Sequence, residues 1–149
     1  MSDHNLEKLQ EHIINLSVSN LFEECLTEWD LERVEYNDDW DRCPCNVEIK
    51  EICHIYNKIN DNRTYVGNVC INRFTDWDTT NVFSGFKIIR ANKYANPNES
   101  LIKYSTKRNL LYQNEVDFLM DTRLKRKLST KQKEWKRKIN YRIIKHIAA

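Results

Sequence analysis

The stretch CPCNVEIKEICHIYNKINDNRTYVGNVC, residues 43–70, carries four of the chain's five cysteines and one of its four histidines. Cys43 and Cys45 stand one residue apart, so both can turn toward a single ion, and Zn²⁺ takes tetrahedral sets of sulfur and imidazole donors. From Glu48 to Tyr56 the alternation predicts a strand, with Ile49, Cys53 and Ile55 on one face and Lys50, Ile52, His54 and Tyr56 on the other. Asn60-Asp61-Asn62 is turn chemistry, and Thr64-Tyr65-Val66 returns as a second strand. Gly67 then releases the backbone into a short helix carrying Cys70, whose unpaired amides would favour a thiolate there.

A loop with two ligands, a hairpin, and a helix start with another is the layout of a treble-clef-like zinc finger. Cys43, Cys45 and Cys70 are three of the expected metal ligands. The fourth is Cys53 or His54, which as strand neighbours face opposite sides; Cys53 shares the parity of the apolar residues, and His54 is the alternative. The competing reading is that these are reduced, buried thiols packing as small hydrophobes. The odd number of cysteines, the lack of a signal peptide and the remote position of Cys25 in a helical segment argue against a disulfide scaffold and for an intracellular protein.

Around this finger the chain reads as mainly helical. A length of 149 residues with 40% hydrophobic content suits one modest core, and two glycines with two prolines are too few for a turn-rich sandwich or barrel. Residues 3 to 29 read as helix, with Leu6, Leu9, Ile13 and Leu16 on one face, an interruption at Ser17 to Asn20, and Leu21, Phe22, Cys25, Leu26 and Trp29 continuing it. Asn20 with Glu23 is the expected capping pair of the second segment. Leu31 to Tyr36 reads as a short strand that pairs with the hairpin, and Asn37 to Asp41 as a polar loop. Beyond the finger, Asn81 to Ala91 is a helix with Val82, Phe83, Phe86 and Ile89 inward. Another runs from Pro97 to about Arg108 with Asn96 as its cap, and a third from about Asn114 to Lys125 with Val116, Leu119 and Met120 inward. Ser129-Thr130-Lys131-Gln132 is a capping box for a last helix that carries Trp135, Ile139, Ile143 and Ile147 at four-residue spacing. The expected class is therefore α+β, mainly helical, with the finger embedded among helices; no apolar span is long enough for a membrane, which fits a soluble chain.

The motifs Glu28-Trp29, Cys43-Pro44-Cys45, Ile49-Lys50-Glu51, Asn57-Lys58 and Tyr65 through Phe74 resemble those of small zinc-finger-like proteins of phages, large DNA viruses and bacterial mobile elements. The likeness continues through Asn96-Pro97-Asn98-Glu99, Leu101-Ile102, Phe118 to Asp121 and Lys125 to Gln132, and so covers most of the chain from about Leu26. Members of that group carry a histidine shortly after the second cysteine, where this chain has Asn46, Val47 and Glu48. The resemblance implies a phage, viral or mobile-element setting and brings no activity with it.

Charge supplies the second signal. From Asp121 to Ala149 there are 11 basic against 2 acidic side chains, or +9, leaving −7 on residues 1 to 120; residues 1 to 48 alone carry 3 basic against 13 acidic, or −10. The break predicts an acidic helical and zinc-finger-like domain over 1–120 and a basic C-terminal helix over 121–149 packed on the same domain. Lys125, Arg126, Lys127, Lys131, Lys133, Lys136, Arg137, Lys138, Arg142 and Lys145, with Trp135 and Tyr141 interleaved, are what phosphate neutralisation plus base stacking requires. Such a run can also be a solvated or internally paired face, with Trp135 in the core.

Two function classes follow. One is a non-catalytic nucleic-acid-binding protein, contacting DNA or RNA through that basic run. The other is an adaptor or inhibitor that sets its acidic N-terminal surface and the Trp40 loop against a basic host or viral protein. Asp38, Asp39, Asp41 and Glu48-Ile49-Lys50 only loosely resemble the carboxylates and lysine of a metal-dependent nuclease, and read as solvated turn residues. The histidines have no nucleophile at a recognisable spacing, and a chain with only Gly67 and Gly85 builds no glycine-rich phosphate loop.

Overall fold

The computed structural model describes residues 2–74 and 77–149 and divides the chain into two compact units, Met1–Trp77 with Ala149, and Asp78–Ala148. Among the described residues there are six α-helices and one three-stranded antiparallel sheet, an α+β fold. The division falls between Trp77 and Asp78, whereas charge alone puts the break at residue 120. The physical reason is that the last two helices share their core with the two before them.

The first unit holds α1 (Asp3–Leu16), α2 (Phe22–Leu26), β1 (Trp29–Arg42), β2 (Glu48–Asn57), β3 (Arg63–Gly67) and a 3-10 turn at Cys70–Arg73. The sheet runs β1-β2-β3 with both neighbour pairs antiparallel. Its hairpin between β2 and β3 turns at residues 58–62, where Asp61 is left-handed and the Asn57 side chain accepts the amides of Ile59 and Asn60, at 2.8 and 3.2 Å. Asparagine and aspartate tolerate that geometry better than most side chains.

β1 is longer than expected. It begins at Trp29, which therefore belongs to the sheet and not to a helix, and it includes residues 37–41. The register nonetheless shifts between Tyr36 and Asp41, so Asn37 to Trp40 stand out of the ladder as an irregularity within the strand. At the start of α2, Leu21 is the cap residue and no side chain caps it, so the Asn20 pair with Glu23 does not form.

Glu28 organises the link between α1 and the sheet. Only 5% exposed, it accepts the amides of Val18 (2.7 Å) and Ser19 (2.9 Å) and the side-chain amide of Asn57 (2.9 Å). Burial opposes its charge, but these three donors outweigh that and hold its carboxyl below the usual range. The Trp29 indole donates to Ser17 Oγ at 2.9 Å, and the side-chain amides of Asn60 and Asn62 donate to the Leu16 carbonyl at the end of α1. Leu9, Ile13, Trp29, Val34, Ile52, Ile55 and Val66 form the buried interior of this unit.

The second unit is four helices: α3 (Thr79–Ala91), α4 (Glu99–Lys107), α5 (Gln113–Thr122) and α6 (Thr130–Ile147). The expected stripe Val82, Phe83, Phe86 and Ile89 is buried, as are Ile139, Ile143 and Ile147 of α6. α4 starts two residues later than read, because Asn98 and not Asn96 caps it by accepting the Leu101 amide at 2.9 Å. Asn98 packs so close to Gly85 that a side chain there would collide with it. In α5 the inward residues are Glu115, Phe118, Leu119 and Thr122; Met120 is exposed and Val116 half-buried. The Ser129 capping box forms as read, with Gln132 N to Ser129 Oγ at 3.1 Å and Ser129 N to Gln132 Oε1 at 2.9 Å.

α6 also satisfies loop carbonyls. The buried Asn140 amide donates to the carbonyls of Lys93 and Ala95 at 2.9 and 2.8 Å, which pins the α3–α4 connection. Among the described residues no helix is long and apolar enough to cross a membrane.

Candidate metal centre and basic surface

β1 and β2 are joined by the turn that holds Cys43 and Cys45. The Cys43 amide donates to Val47 O at 2.9 Å and the Asn46 amide to Cys43 O at 2.7 Å, with Asn46 left-handed at φ 78°. Arg42 braces the same turn by donating to Asn46 O, and the Tyr65 hydroxyl donates to Arg42 O at 2.8 Å. This folds Cys43 and Cys45 back over the end of β3, where the 3-10 turn delivers Cys70.

The sulfurs of Cys43, Cys45 and Cys70 all lie within 4.8 Å of one another, and each residue is 2% exposed. Cys43 and Cys70 are 3.7 Å apart at Sγ. That separation is far beyond a disulfide bond and close to the roughly 3.8 Å edge of a tetrahedron with metal–sulfur bonds of about 2.3 Å. All five cysteines are free thiols. The donor set therefore suits a soft or borderline divalent cation.

The electrostatics point the same way. The Cys70 thiol shares its proton with Cys43, and the amides of Cys45 and Gly67 add to this, so that Cys43 is held well below the usual thiol range despite its burial. The Gly67 amide reaches Cys43 Sγ at 3.3 Å. Cys70 is pushed up, first by the hydrogen bond to Cys43 and then by burial; burial is the main cause that raises Cys45. A cation bound at the three sulfurs would displace their thiol protons. Gly67 itself packs against Ile49, since a Cβ on it would lie 2.8 Å from Ile49 Cγ2.

Neither expected fourth ligand belongs to the cluster. Cys53 is fully buried in mid-β2, between Val34 of β1 and Val66 of β3. His54, on the opposite face, sets Nε2 3.1 Å from Glu35 Oε1. Among the described residues no other cysteine, histidine, aspartate or glutamate joins the three sulfurs. The signal for the buttress at Gly67 and Tyr65 was present only as spacing in Tyr65-Val66-Gly67, which does not reveal that the strand end faces Cys43.

The ten basic residues separate into three groups. Lys125, Arg126 and Lys127, in the connection between α5 and α6, and Lys131, Lys133, Lys138 and Lys145, on α6, are exposed. Arg137 pairs along its own helix with Glu134, and Arg142 holds Glu115 at 2.7 and 3.1 Å while donating to Leu110 O at 2.9 Å. Lys136 is internal: 2% exposed, with Nζ donating to Asn96 Oδ1 at 2.7 Å, and its burial lowers the ammonium's proton affinity. Trp135 is half-buried and stacks on Phe118 with ring centres 4.2 Å apart, so it belongs to the packing of α5 on α6. Tyr141 stays 61% exposed.

The unit boundary separates the charge more sharply than the cut at residue 120. Residues 1–77 carry 7 basic against 16 acidic side chains, or −9, and residues 78–148 carry 17 against 6, or +11. Comparison with known protein families, with curated proteins and with solved structures found no match in any of the three.

Proposed function

We propose that the chain is a non-catalytic, zinc-stabilised nucleic-acid-binding protein, whose second unit contacts the phosphates. The observation that carries this reading is the concentration of +11 on one compact unit, with seven basic side chains of its last third exposed. Charge of that density raises the local concentration of a polyanion and releases its condensed counterions on contact. Zinc on Cys43, Cys45 and Cys70 supports the first unit in a treble-clef-like arrangement: a turn with two ligands, the β2–β3 hairpin, and a helical turn with the third. An intracellular role in a phage, virus or mobile element is part of the same proposal and rests on the resemblance of the quoted motifs.

The test is fluorescence anisotropy with labelled DNA and RNA across a salt series. Each phosphate neutralised adds about 0.7 to 0.9 to the slope of log affinity on log salt, so about five contacts give a loss of roughly 100- to 500-fold between about 50 and 200 mM. Replacing Lys131, Lys133 and Lys138 together with glutamate leaves the melting temperature in place and abolishes binding. Absence of binding to any nucleic acid at low salt overturns the proposal.

The adaptor reading keeps one specific support. Trp40 is 63% exposed in the irregular part of β1, flanked by Asp38, Asp39 and Asp41 and covered on one side by the Lys50 ammonium at 4.8 Å. An exposed tryptophan in an acidic setting is a fitting anchor for a basic protein surface. Retention of a basic partner that Trp40→Ala abolishes, together with no nucleic-acid binding, would favour it.

A further inference from the structure

A groove of about 670 Å³ runs along α6, lined by Arg137, Lys138, Tyr141, Arg142, Lys145 and His146. Positions 137, 138, 141, 142 and 145 share one helical face, so cations lie on both sides of the exposed Tyr141 ring. Resting on the nucleic-acid reading above, we propose that this groove takes a single strand, with bases stacked on Tyr141 and on two flanking tyrosines and with phosphates held by the cations between them.

The flanking rings are Tyr94 and Tyr112. Tyr112 is 73% exposed, and the Arg142 guanidinium lies 5.9 Å from its ring centre. Glu115 and the Leu110 carbonyl fix that guanidinium, which leaves it preorganised and still 41% exposed. Tyr94 is 43% exposed, has Lys93 Nζ 5.5 Å from its ring centre, and follows Lys93, whose carbonyl accepts the side-chain amide of Asn140, the neighbour of Tyr141, at 2.9 Å. Two exposed tyrosines beside the groove thus each have a cation at the ring, and the third, Tyr141, lines the groove together with Arg137, Lys138, Arg142 and Lys145.

This alternation discriminates between duplex and single strand. A duplex hides its base faces inside the stack and offers phosphates and groove edges, so exposed rings between the cations gain little from it. An unpaired strand offers a free face at every base, and stacking there is indifferent to sequence. Trp135, the ring that sequence spacing would nominate first, is already taken by Phe118, which leaves the tyrosines as the available platforms.

The experiment uses the full chain with labelled oligonucleotides of about 20 units: oligo-dT, oligo-U, and a mixed-sequence duplex, each at fixed moderate salt. Both single strands bind at least about ten-fold tighter than the duplex. Tyr141→Ala loses roughly 5- to 100-fold on single strands, the range expected for one base–ring stack, while Tyr141→Phe retains affinity and neither variant changes the salt slope. Tyr94→Ala with Tyr112→Ala gives a further loss on single strands only. Equal or tighter duplex binding, or an unchanged Tyr141→Ala, overturns the stacking groove and leaves the broader reading intact. No binding to any of the three probes overturns both.

Discussion

Cys43 and Cys70, separated by 27 positions in the chain, hold their sulfurs 3.7 Å apart, and neither is oxidised. A turn between β1 and β2 and a 3-10 turn after β3 converge to place them there, with Cys45 as the third corner. The geometry predicts a sharp division among cysteine variants. Cys43→Ala, Cys45→Ala and Cys70→Ala each lose bound zinc and most of the stability of the first unit. Cys53→Ala keeps the metal and loses only about 1–2 kcal/mol of packing. Metal content and denaturant midpoints measured side by side check this, and loss of zinc in Cys53→Ala would contradict it.

Glu28 closes the connection between α1 and β1 by accepting three hydrogen bonds while buried. Glu28→Gln keeps the shape but offers one acceptor oxygen where there were two, and leaves an amide facing a backbone donor. The expected cost is about 2 kcal/mol in urea unfolding. Because the native carboxyl lies below its ordinary value, its contribution is complete above about pH 4.5 and is lost as pH falls through the lower folded value. The glutamine variant therefore shows a flatter decline in stability between about pH 5 and pH 3 than the native chain.

Arg142 and Glu115 form the corresponding contact in the second unit, with Glu115 only 5% exposed at its side chain and Arg142 41%. Burial pushes the Glu115 carboxyl up, and the Arg142 and Tyr112 donors more than reverse that. Arg142→Ala removes the larger of these donors, so burial prevails and Glu115 takes up its proton at higher pH. Stability then begins to fall at a higher pH than in the native chain, with a loss at neutral pH of about 2 kcal/mol after allowance for solvent screening of the exposed guanidinium. A pH series of denaturant midpoints reads both effects, and unchanged curves would exclude the pairing.

Lys136 carries a charge in a site whose partners in the structure are neutral, the Asn96 side chain and the Phe118 ring 5.9 Å away. Its folded proton affinity is lowered by burial, so the native state gains stability as pH rises from the folded value toward the ordinary one near 10.5. Lys136→Met removes the buried charge and is expected to be neutral or stabilising, within about 1 kcal/mol, and to leave nucleic-acid affinity unchanged. Loss of more than about 2 kcal/mol, or of binding, would show that the ammonium is needed.

How far the sequence could be read varied with the range of the interaction. Features set by nearby residues were legible: the β2–β3 hairpin from its asparagine-rich turn, the Ser129 capping box and the α3 stripe. The convergence of Cys43, Cys45 and Cys70 spans 27 positions and was legible from shared donor chemistry. Other features set by distant residues were not. Asn96 and Asn98 both precede or follow Pro97 as equally good caps, and the choice of Asn98 depends on Gly85, which lets that side chain approach α3. The basic run looked uniform because four-residue periodicity identifies Ile139 and Ile143 as inward but cannot say that the α3–α4 connection also covers Lys136. Cys53 has the right parity to face inward, and it does, toward valines and not toward the other sulfurs.

The central claim is that one zinc ion on Cys43, Cys45 and Cys70 holds the first unit together. It is tested most directly by elemental analysis of protein purified without added metal, followed by thermal melting with and without a strong chelator. About one zinc per chain, and a chelator-induced fall of more than about 10 °C in the first unit's transition that added zinc reverses, is the predicted result. Protein that carries no metal, and melts at the same temperature in chelator and in zinc, would contradict it.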